Sequence, residues 1–403
     1  MRAELDNLRE SNEFLNLLLD NINSAVLIAD ENLRIHQFNS GFLNLFDRAV
    51  EPLAGHSFGQ ISGCVNAVQE NRPCGETSQC RFCVLRRSLI QMLTDQVPVD
   101  RKRLERIFYL DGKPILKYLE FSARPVHFQG RKMILVIIYD ITEIETQKRE
   151  LERKQSQIDE DLQAASEIQK SLLPHHAPEI DGIRTAWRFD PCRQVGGDIF
   201  QIHVEDHDRI CVYILDVCGH GVSAALVAVT VSQFLASLSN RGRLTGKPFS
   251  PEAVLNRLDE AFPLSRFDCF FTIAYASLNV RTGRLIYSNA GHVPPIVLKA
   301  GGAMEVLEHH GTVIGTGMAP PFSQAEKRLI PGDRLLLYTD GMIDNFGAED
   351  DREKKERFYQ HVRMRASAPI DSLVEGVMDQ ARASKDASDL DDDMSLLGIE
   401  FTG

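Results

Sequence analysis

Ile210-Cys211-Val212-Tyr213-Ile214-Leu215-Asp216-Val217-Cys218-Gly219-His220-Gly221 is the stretch on which the reading of this chain turns. Its apolar first half predicts a strand buried on both faces, and its glycines mark the strand's end. A carboxylate at the end of a buried strand is costly unless something cationic neutralises it. Three other stretches have the same character. They are Gly196-Gly197-Asp198, the run Arg334-Leu335-Leu336-Leu337-Tyr338 leading through Thr339 to Asp340-Gly341, and Asp392-Asp393 before Met394-Ser395-Leu396-Leu397. A single Asp-Gly marks a turn, and Asp391-Asp392-Asp393 alone reads as a solvated charge run. Four such stretches at strand ends fit hard divalent cations, which take oxygen ligands. Two ions about 3.5–4 Å apart share a water, lower its pKa and clamp phosphoryl oxygens, so no covalent nucleophile is needed. The expectation is a two-metal hydrolase built on Asp198, Asp216, Asp340 and the Asp391–Asp393 run.

Around these motifs, residues 175–403 read as a second globular unit of α+β type. Strands are expected at Arg184–Phe189, Ile210–Leu215, Cys269–Leu278, Arg284–Ser288, Ile296–Lys299, Arg334–Tyr338 and Ser395–Phe401. Helices are expected at Val222–Leu238, Pro251–Ala261 and Ile370–Ala383. Many strands with few helices suggest an α/β sandwich. Upstream, Ile141, Ile144, Lys148, Leu151, Gln155, Ile158, Leu162, Ala165, Gln169 and Leu172 recur at steps of three and four, a heptad seam. No Pro or Gly interrupts it before Pro174, which stops the helix. A parallel coiled coil over 141–174 is expected; the alternative is one amphipathic helix packed on its own domain.

The first 140 residues alternate strands and short helices. Ala25–Ala29 and Leu33–Phe38 flank the turn Asp30-Glu31-Asn32. Leu104–Leu110 and Ile115–Ala123 flank Asp111-Gly112-Lys113-Pro114, and Val126–Phe128 and Met133–Tyr139 flank Gln129-Gly130. Helical stretches are expected near Phe42–Phe46 and Val84–Leu93. A five-stranded antiparallel sheet with helices on one side is the simplest assembly. This order, closed by Asp140-Ile141-Thr142-Glu143, resembles the PAS sensor fold over residues 14–143. Within it, Cys64, Cys74, Cys80 and Cys83 are spaced C-x9-C-x5-C-x2-C. The Cys80/Cys83 pair has the bite that Zn²⁺ or an iron–sulfur cluster requires. Free thiols and a redox disulfide are the alternatives.

Composition narrows the class. With 43% apolar and 25% charged residues, a 403-residue chain suits a globular protein of two or three domains. A net charge of −12 argues against nucleic acid or an anionic membrane as partner. No apolar run approaches the roughly 18–20 residues of a membrane span, and Met1 to Glu10 is too polar for a secretory signal. The expected address is cytoplasmic, with reduced cysteines.

Taken in order, the carboxy-terminal motifs resemble the metal-dependent PPM protein serine/threonine phosphatases, in their bacterial SpoIIE/RsbU-type branch. The motifs are Ile168-Gln169-Lys170-Ser171-Leu172-Leu173-Pro174, Val195-Gly196-Gly197-Asp198, Asp216 to Ala225, Asn289-Ala290-Gly291-His292-Val293-Pro294-Pro295, Gly311 to Gly315, Tyr338-Thr339-Asp340-Gly341 and Asp392-Asp393-Met394-Ser395. The resemblance implies two Mn²⁺ or Mg²⁺ ions bridged by Asp216. One would be completed by the Val217 carbonyl, the other held by Asp340 and Asp392, with Asp198 direct or through water. Asp393 is the less favoured of its pair. The branch usually carries Asp where Gln201 stands and Glu where Asp344 stands. For His220 and His292 an acid/base role competes with a structural one. The implied function is hydrolysis of phosphoserine or phosphothreonine on a protein, a STAS-type anti-sigma-factor antagonist, by a dimer joined through its PAS domain and coiled coil. The alternative is a pseudophosphatase that binds a phosphoprotein without turning it over.

Overall fold

A computed structural model of the chain describes residues 21–48, 55–128, 130–317, 321–347, 350–383, 390 and 392–403. The first residues of the expected sensor region, Gln129, Asp391 and most of the Ser384–Asp393 stretch lie outside the described residues. The chain divides into two compact units, Met1–Ser156 and Gln157–Gly403.

In the first unit, β1 (Ala25–Ala29), β2 (Ile35–Phe38), β3 (Val99–Leu110), β4 (Lys113–Phe128) and β5 (Arg131–Asp140) form an antiparallel sheet of order β2-β1-β5-β4-β3. Helices α1 (Ser40–Leu45), α2 (Phe58–Ile61), α3 (Val65–Glu70) and α4 (Val84–Asp95) fall between β2 and β3. Alternate residues Leu119, Phe121 and Ala123 of β4 and Ile134, Val136 and Ile138 of β5 share one core with Phe42, Phe46, Leu89 and Met92 from the helices. That period of two is what a sheet with one covered face requires. The two short strands expected on either side of Arg124 are one strand. Pro125 sits within the β4–β5 ladder opposite Ile134, so the chain runs on without a turn.

Helix α5 spans Thr142–Ser171. Asp140 starts it by accepting from the Thr142 amide at 3.0 Å and from its hydroxyl, while Lys117 pairs with Asp140 at 2.6 Å. Arg149 holds the first turns, lying 4.5 Å over the Tyr118 ring and bonding its hydroxyl at 2.6 Å. Ile144, Leu151 and Ile158, seven residues apart, are 67%, 68% and 53% exposed. The seam does not stay free to its expected end, because Gln169 and Leu173 are buried in the second unit.

The second unit is a sandwich of two five-stranded antiparallel sheets. Its strands are β6 (Ile183–Asp190), β7 (Ile199–Asp206), β8 (Arg209–Val217), β9 (Phe271–Asn279), β10 (Arg284–Ala290), β11 (Ile296–Leu298), β12 (Met304–Val306), β13 (Ala325–Arg328), β14 (Arg334–Tyr338) and β15 (Met394–Phe401). One sheet has the order β13-β10-β9-β8-β7 and the other β12-β11-β14-β15-β6. The helices are α6 (Val222–Thr245), α7 (Pro251–Ala261), α8 (Leu264–Phe267), α9 (Gly341–Asp344), α10 (Asp351–Met364) and α11 (Ile370–Ala383). Leu335 and Leu337 join one core with Leu215 and Ile273, while Leu336 and Tyr338 face Phe358, Val362, Val374 and Val377 of α10 and α11. Both faces of β14 are therefore covered, which is why it reads as an unbroken apolar run.

Several elements escape a periodicity reading. Strand β13, Ala-Glu-Lys-Arg, is a short, charged edge strand. Helix α10 is mostly charged and buries only Phe358, Tyr359 and Val362. Helix α6 corrects the expectation about apolar length, since by length and composition it suffices to cross a membrane. In the fold its residues Ala224, Ala228, Val231, Leu235 and Leu238 form a helical stripe buried in the sandwich core.

Candidate metal centre

Strand register brings the acidic motifs together. Ile199 pairs with Leu215, and one further step along that ladder sets Asp198 beside Asp216. In the other sheet Tyr338 pairs with Leu396, and the Thr339 amide donates to the Ser395 carbonyl at 3.1 Å. Asp340 and the Asp392-Asp393 pair therefore flank the same strand ends. Two hydroxyls join the sheets here: Thr339 Oγ1 and Ser395 Oγ both donate to Asp198 Oδ2, at 2.8 and 2.7 Å. The four motifs share one end of the sandwich.

Asp393 and Asp392 divide the labour of their pair. Asp393 Oδ1 accepts from the Cys192 amide at 2.8 Å, and Oδ2 from the Gly197 amide at 2.6 Å. Its carboxylate thus clamps the turn that carries Asp198, and a Cβ at Gly196 would lie 2.1 Å from Asp393 Oδ2. A Cβ at Gly197 would lie 2.8 Å from the Val217 carbonyl oxygen, so glycine there leaves that oxygen accessible. Asp392, half-buried, is left facing the cluster. Sequence reasoning missed the other support of this turn. Gln169 Nε2 donates to the Gly196 carbonyl at 2.7 Å, and its Oε1 accepts the Gly196 amide at 3.1 Å. A polar residue at a seam position was the available signal. Gln201, which departs from the resembled pattern, donates instead to the Leu172 carbonyl just past α5.

The cluster lacks positive charge. Among the described residues no ion pair reaches Asp198, Asp216, Asp340 or Asp392; the nearby Lys354 pairs with Asp344 at 3.7 Å. Burial, then the charges of Asp340, Asp392 and Asp393, push Asp216 up to about 8. Burial, then Asp216 and Asp393, hold Asp198 well above the ordinary carboxylate range despite its two hydroxyl donors. Burial raises Asp340, with Asp344 adding to it, and burial brings Asp392 to about 6. Buried carboxylates that repel one another and have no cation are suited to one.

The histidines separate. His292 is 5% exposed and pushed down to about 4 by burial, so it is neutral at pH 7. Its Nε2 donates to the Tyr338 carbonyl at 3.0 Å, which leaves Nδ1 to accept the Thr272 hydroxyl at 2.7 Å. Thr272 lies opposite Asp216 in the β8–β9 ladder, so His292 ties the two sheets directly beneath the acidic motifs. His220 is exposed in the turn before α6, as is Cys218. Cys211 is core, whereas Cys192 packs beside Asp393 and is pushed up to about 12 by burial and then by that charge.

Among the described residues no group of three or more His, Cys, Asp or Glu side chains is closed tightly enough to hold an ion as it stands. Chemistry distinguishes the two candidate sets. The aspartates are crowded so that ionising them together needs a compensating cation, and their oxygens fit hard divalent cations. Cys64, Cys74, Cys80 and Cys83 line one apolar cavity as free thiols. Sulfurs set against Leu27, Phe58 and Leu89 crowd no such like charges together. The expectation of Zn²⁺ or an iron–sulfur cluster there is not supported.

Residues 206–402 match the family model of stage II sporulation protein E, a stretch that includes Asp216, Asp340 and Asp392 but not Asp198. Phosphoserine phosphatase RsbU of Bacillus subtilis is 27% identical over 192 residues, covering 47% of this chain and 55% of that protein. Phosphoserine phosphatase RsbP of the same organism is 24% identical over 247 residues, 60% of this chain and 57% of its own length. The chain thus spans little more than half of each relative. The SiaA-PP2C domain of Pseudomonas aeruginosa shares the fold with a TM-score of 0.53 at 23% identity, over 62% of this chain and 98% of that domain. The sandwich, the acidic strand ends and the matched stretch together identify residues 206–402 as a SpoIIE-type domain, similar to the PPM phosphatases.

Proposed function

We propose that this protein is a metal-dependent serine/threonine phosphatase of signal transduction, acting in the cytoplasm on a phosphorylated regulatory protein. The observation that carries this reading is the meeting of four acidic motifs at one end of the sandwich, with no ion pair to their aspartates Asp198, Asp216, Asp340 and Asp392 among the described residues. Asp216, Asp340, Asp392 and the Val217 carbonyl would hold two Mn²⁺ or Mg²⁺ ions, with Asp198 direct or through water. Bound there, the ions would supply an activated water and neutralise phosphoryl charge.

The chain's own residues prepare that site. Thr339 and Ser395 occupy Asp198 Oδ2, which leaves Oδ1 to face the cluster. Asp393 and Gln169 fix the turn that carries Asp198. His292, neutral and bonded at both nitrogens, holds the sheet ends in place and exchanges no proton.

The strand order of the first unit supports a PAS-like sensor over 1–140, followed by a coiled-coil linker at 141–174 and the phosphatase domain from 175. The exposed heptad Ile144, Leu151, Ile158 supports a homodimer through α5. Relatives named as phosphoserine phosphatases support a phosphoserine substrate, and a STAS-type anti-sigma-factor antagonist is the proposed partner. Release of phosphate from a phosphoserine peptide by the full chain, with Mn²⁺ and with chelator, tests the reading. Metal-dependent release is expected. No release with either Mn²⁺ or Mg²⁺ would leave only a phosphoprotein-binding role.

A further inference from the structure

The thiol cavity of the first unit holds a specific pair. Cys80 Sγ accepts the Gly75 amide at 3.0 Å and the Thr77 hydroxyl at 3.0 Å, and Cys74 lines the same cavity. Two donors held on one sulfur favour a thiolate. The amide that reaches Cys80 belongs to the residue directly after Cys74, so the backbone already folds Cys74 back onto that sulfur. Cys74 Sγ is itself hemmed in, since a Cβ on Gly59 would lie 2.7 Å from it. Cys64 and Cys83 share the cavity, but no three sulfurs close on one point.

We propose that Cys74 and Cys80 are a redox-active dithiol, oxidised to a disulfide by a hydroperoxide. Cys80 sulfur attacks the terminal oxygen of ROOH and the O–O bond breaks. The sulfur becomes a sulfenic acid, and RO⁻ leaves with a proton as ROH. Cys74 sulfur then attacks Cys80 sulfur, the S–O bond breaks, and hydroxide departs with the Cys74 proton as water. Two thiols and ROOH yield one disulfide, ROH and water. Only five residues separate the cysteines, and both line the same cavity, so a sulfur–sulfur bond of about 2.0 Å needs only local closure. Burial alone would raise both thiols. It takes Cys74 up to about 11, whereas the donors on Cys80 outweigh burial and lower it. Cys80 is thus the attacking sulfur and Cys74 the resolving one.

The test treats the reduced full chain with one equivalent of hydrogen peroxide, alkylates the remaining thiols and maps the peptides. A Cys74–Cys80 cross-link, reversed by dithiothreitol, is expected. C74S should retain a sulfenic acid at Cys80 that dimedone captures. T77V, which removes one donor, should slow alkylation of Cys80 up to about tenfold. The proposal is overturned if the wild-type chain forms no Cys74–Cys80 bond while exposed Cys218 oxidises. It is equally overturned if the purified chain carries zinc or iron that thiol alkylation releases.

Discussion

The Thr339 hydroxyl, at the end of one sheet, donates at 2.8 Å to Asp198 Oδ2 at the start of a strand in the other. It is shared architecture and chemistry: the contact joins the two sheets and fixes which carboxylate oxygen remains available. Supports of this kind commonly set metal affinity as strongly as the ligands do. T339V keeps the shape and removes the donor, so Mn²⁺ affinity is expected to fall by about 10–100-fold. T339S should retain most of it. Calorimetric Mn²⁺ titration of both variants checks this, and equal affinity in T339V and wild type would refute the role.

Asp216 is ionised in the unfolded chain above about pH 4, but in the metal-free fold it keeps its proton up to about pH 8. The folded state therefore binds the extra proton across that window, and metal-free stability contributed by this group falls as pH rises through it. D216N removes the titration. Its metal-free form should melt higher than wild type at pH 8.5, and the two should converge toward pH 4.5. On the proposed reading the same variant should lose phosphate release at least about 100-fold, because a carboxylate that would hold the ions is gone. Thermal melts at both pH values with chelator, alongside the phosphatase assay, separate the effects.

His292 has the opposite sign. An unfolded histidine titrates near 6.5, while His292 stays neutral in the fold down to about 4. Its contribution is complete above pH 6.5 and is lost as pH falls toward 4, by roughly 3 kcal/mol in all. H292Q, which keeps a polar side chain without the titration, should show a smaller stability loss than wild type between pH 7 and 4.5. Denaturant unfolding at the two values measures the difference, and identical losses would exclude this group.

Gln169 is buried and its amide satisfies both backbone groups of Gly196. Q169A leaves those groups unpaired, at a cost of about 1–3 kcal/mol. Because Gly196 stands two residues before Asp198, activity at limiting Mn²⁺ should fall more than activity at saturating Mn²⁺. A uniform loss at all Mn²⁺ concentrations would assign Gln169 to stability alone.

The exposed seam of α5 makes a separate prediction. L151D and I158D place charge on a face that the fold leaves open, so the monomer should keep its melting temperature while self-association weakens. Light scattering over a concentration series reads this. Unchanged self-association would exclude α5 as the dimer contact.

The carboxyl-terminal chemistry was legible in the chain because β8 and β14 are buried on both faces. Such strands read as apolar runs, and an aspartate at their ends stands out against them. The five-stranded sheet of the first unit was likewise visible in its turn residues and alternating pattern. Edge strand β13 and charged α10 were not, since each buries too few side chains to impose a period.

Sequence alone determined which residues carry charge and at which strand ends they stand. Only the tertiary structure decided their division of labour. Asp392 and Asp393 are identical neighbours until the Cys192–Asp198 turn folds against one of them, and Gln169 interrupts a seam until Gly196 offers it a backbone. Partners hundreds of residues apart meet through strand register, and register is a property of the packed sheets rather than of any local run of residues.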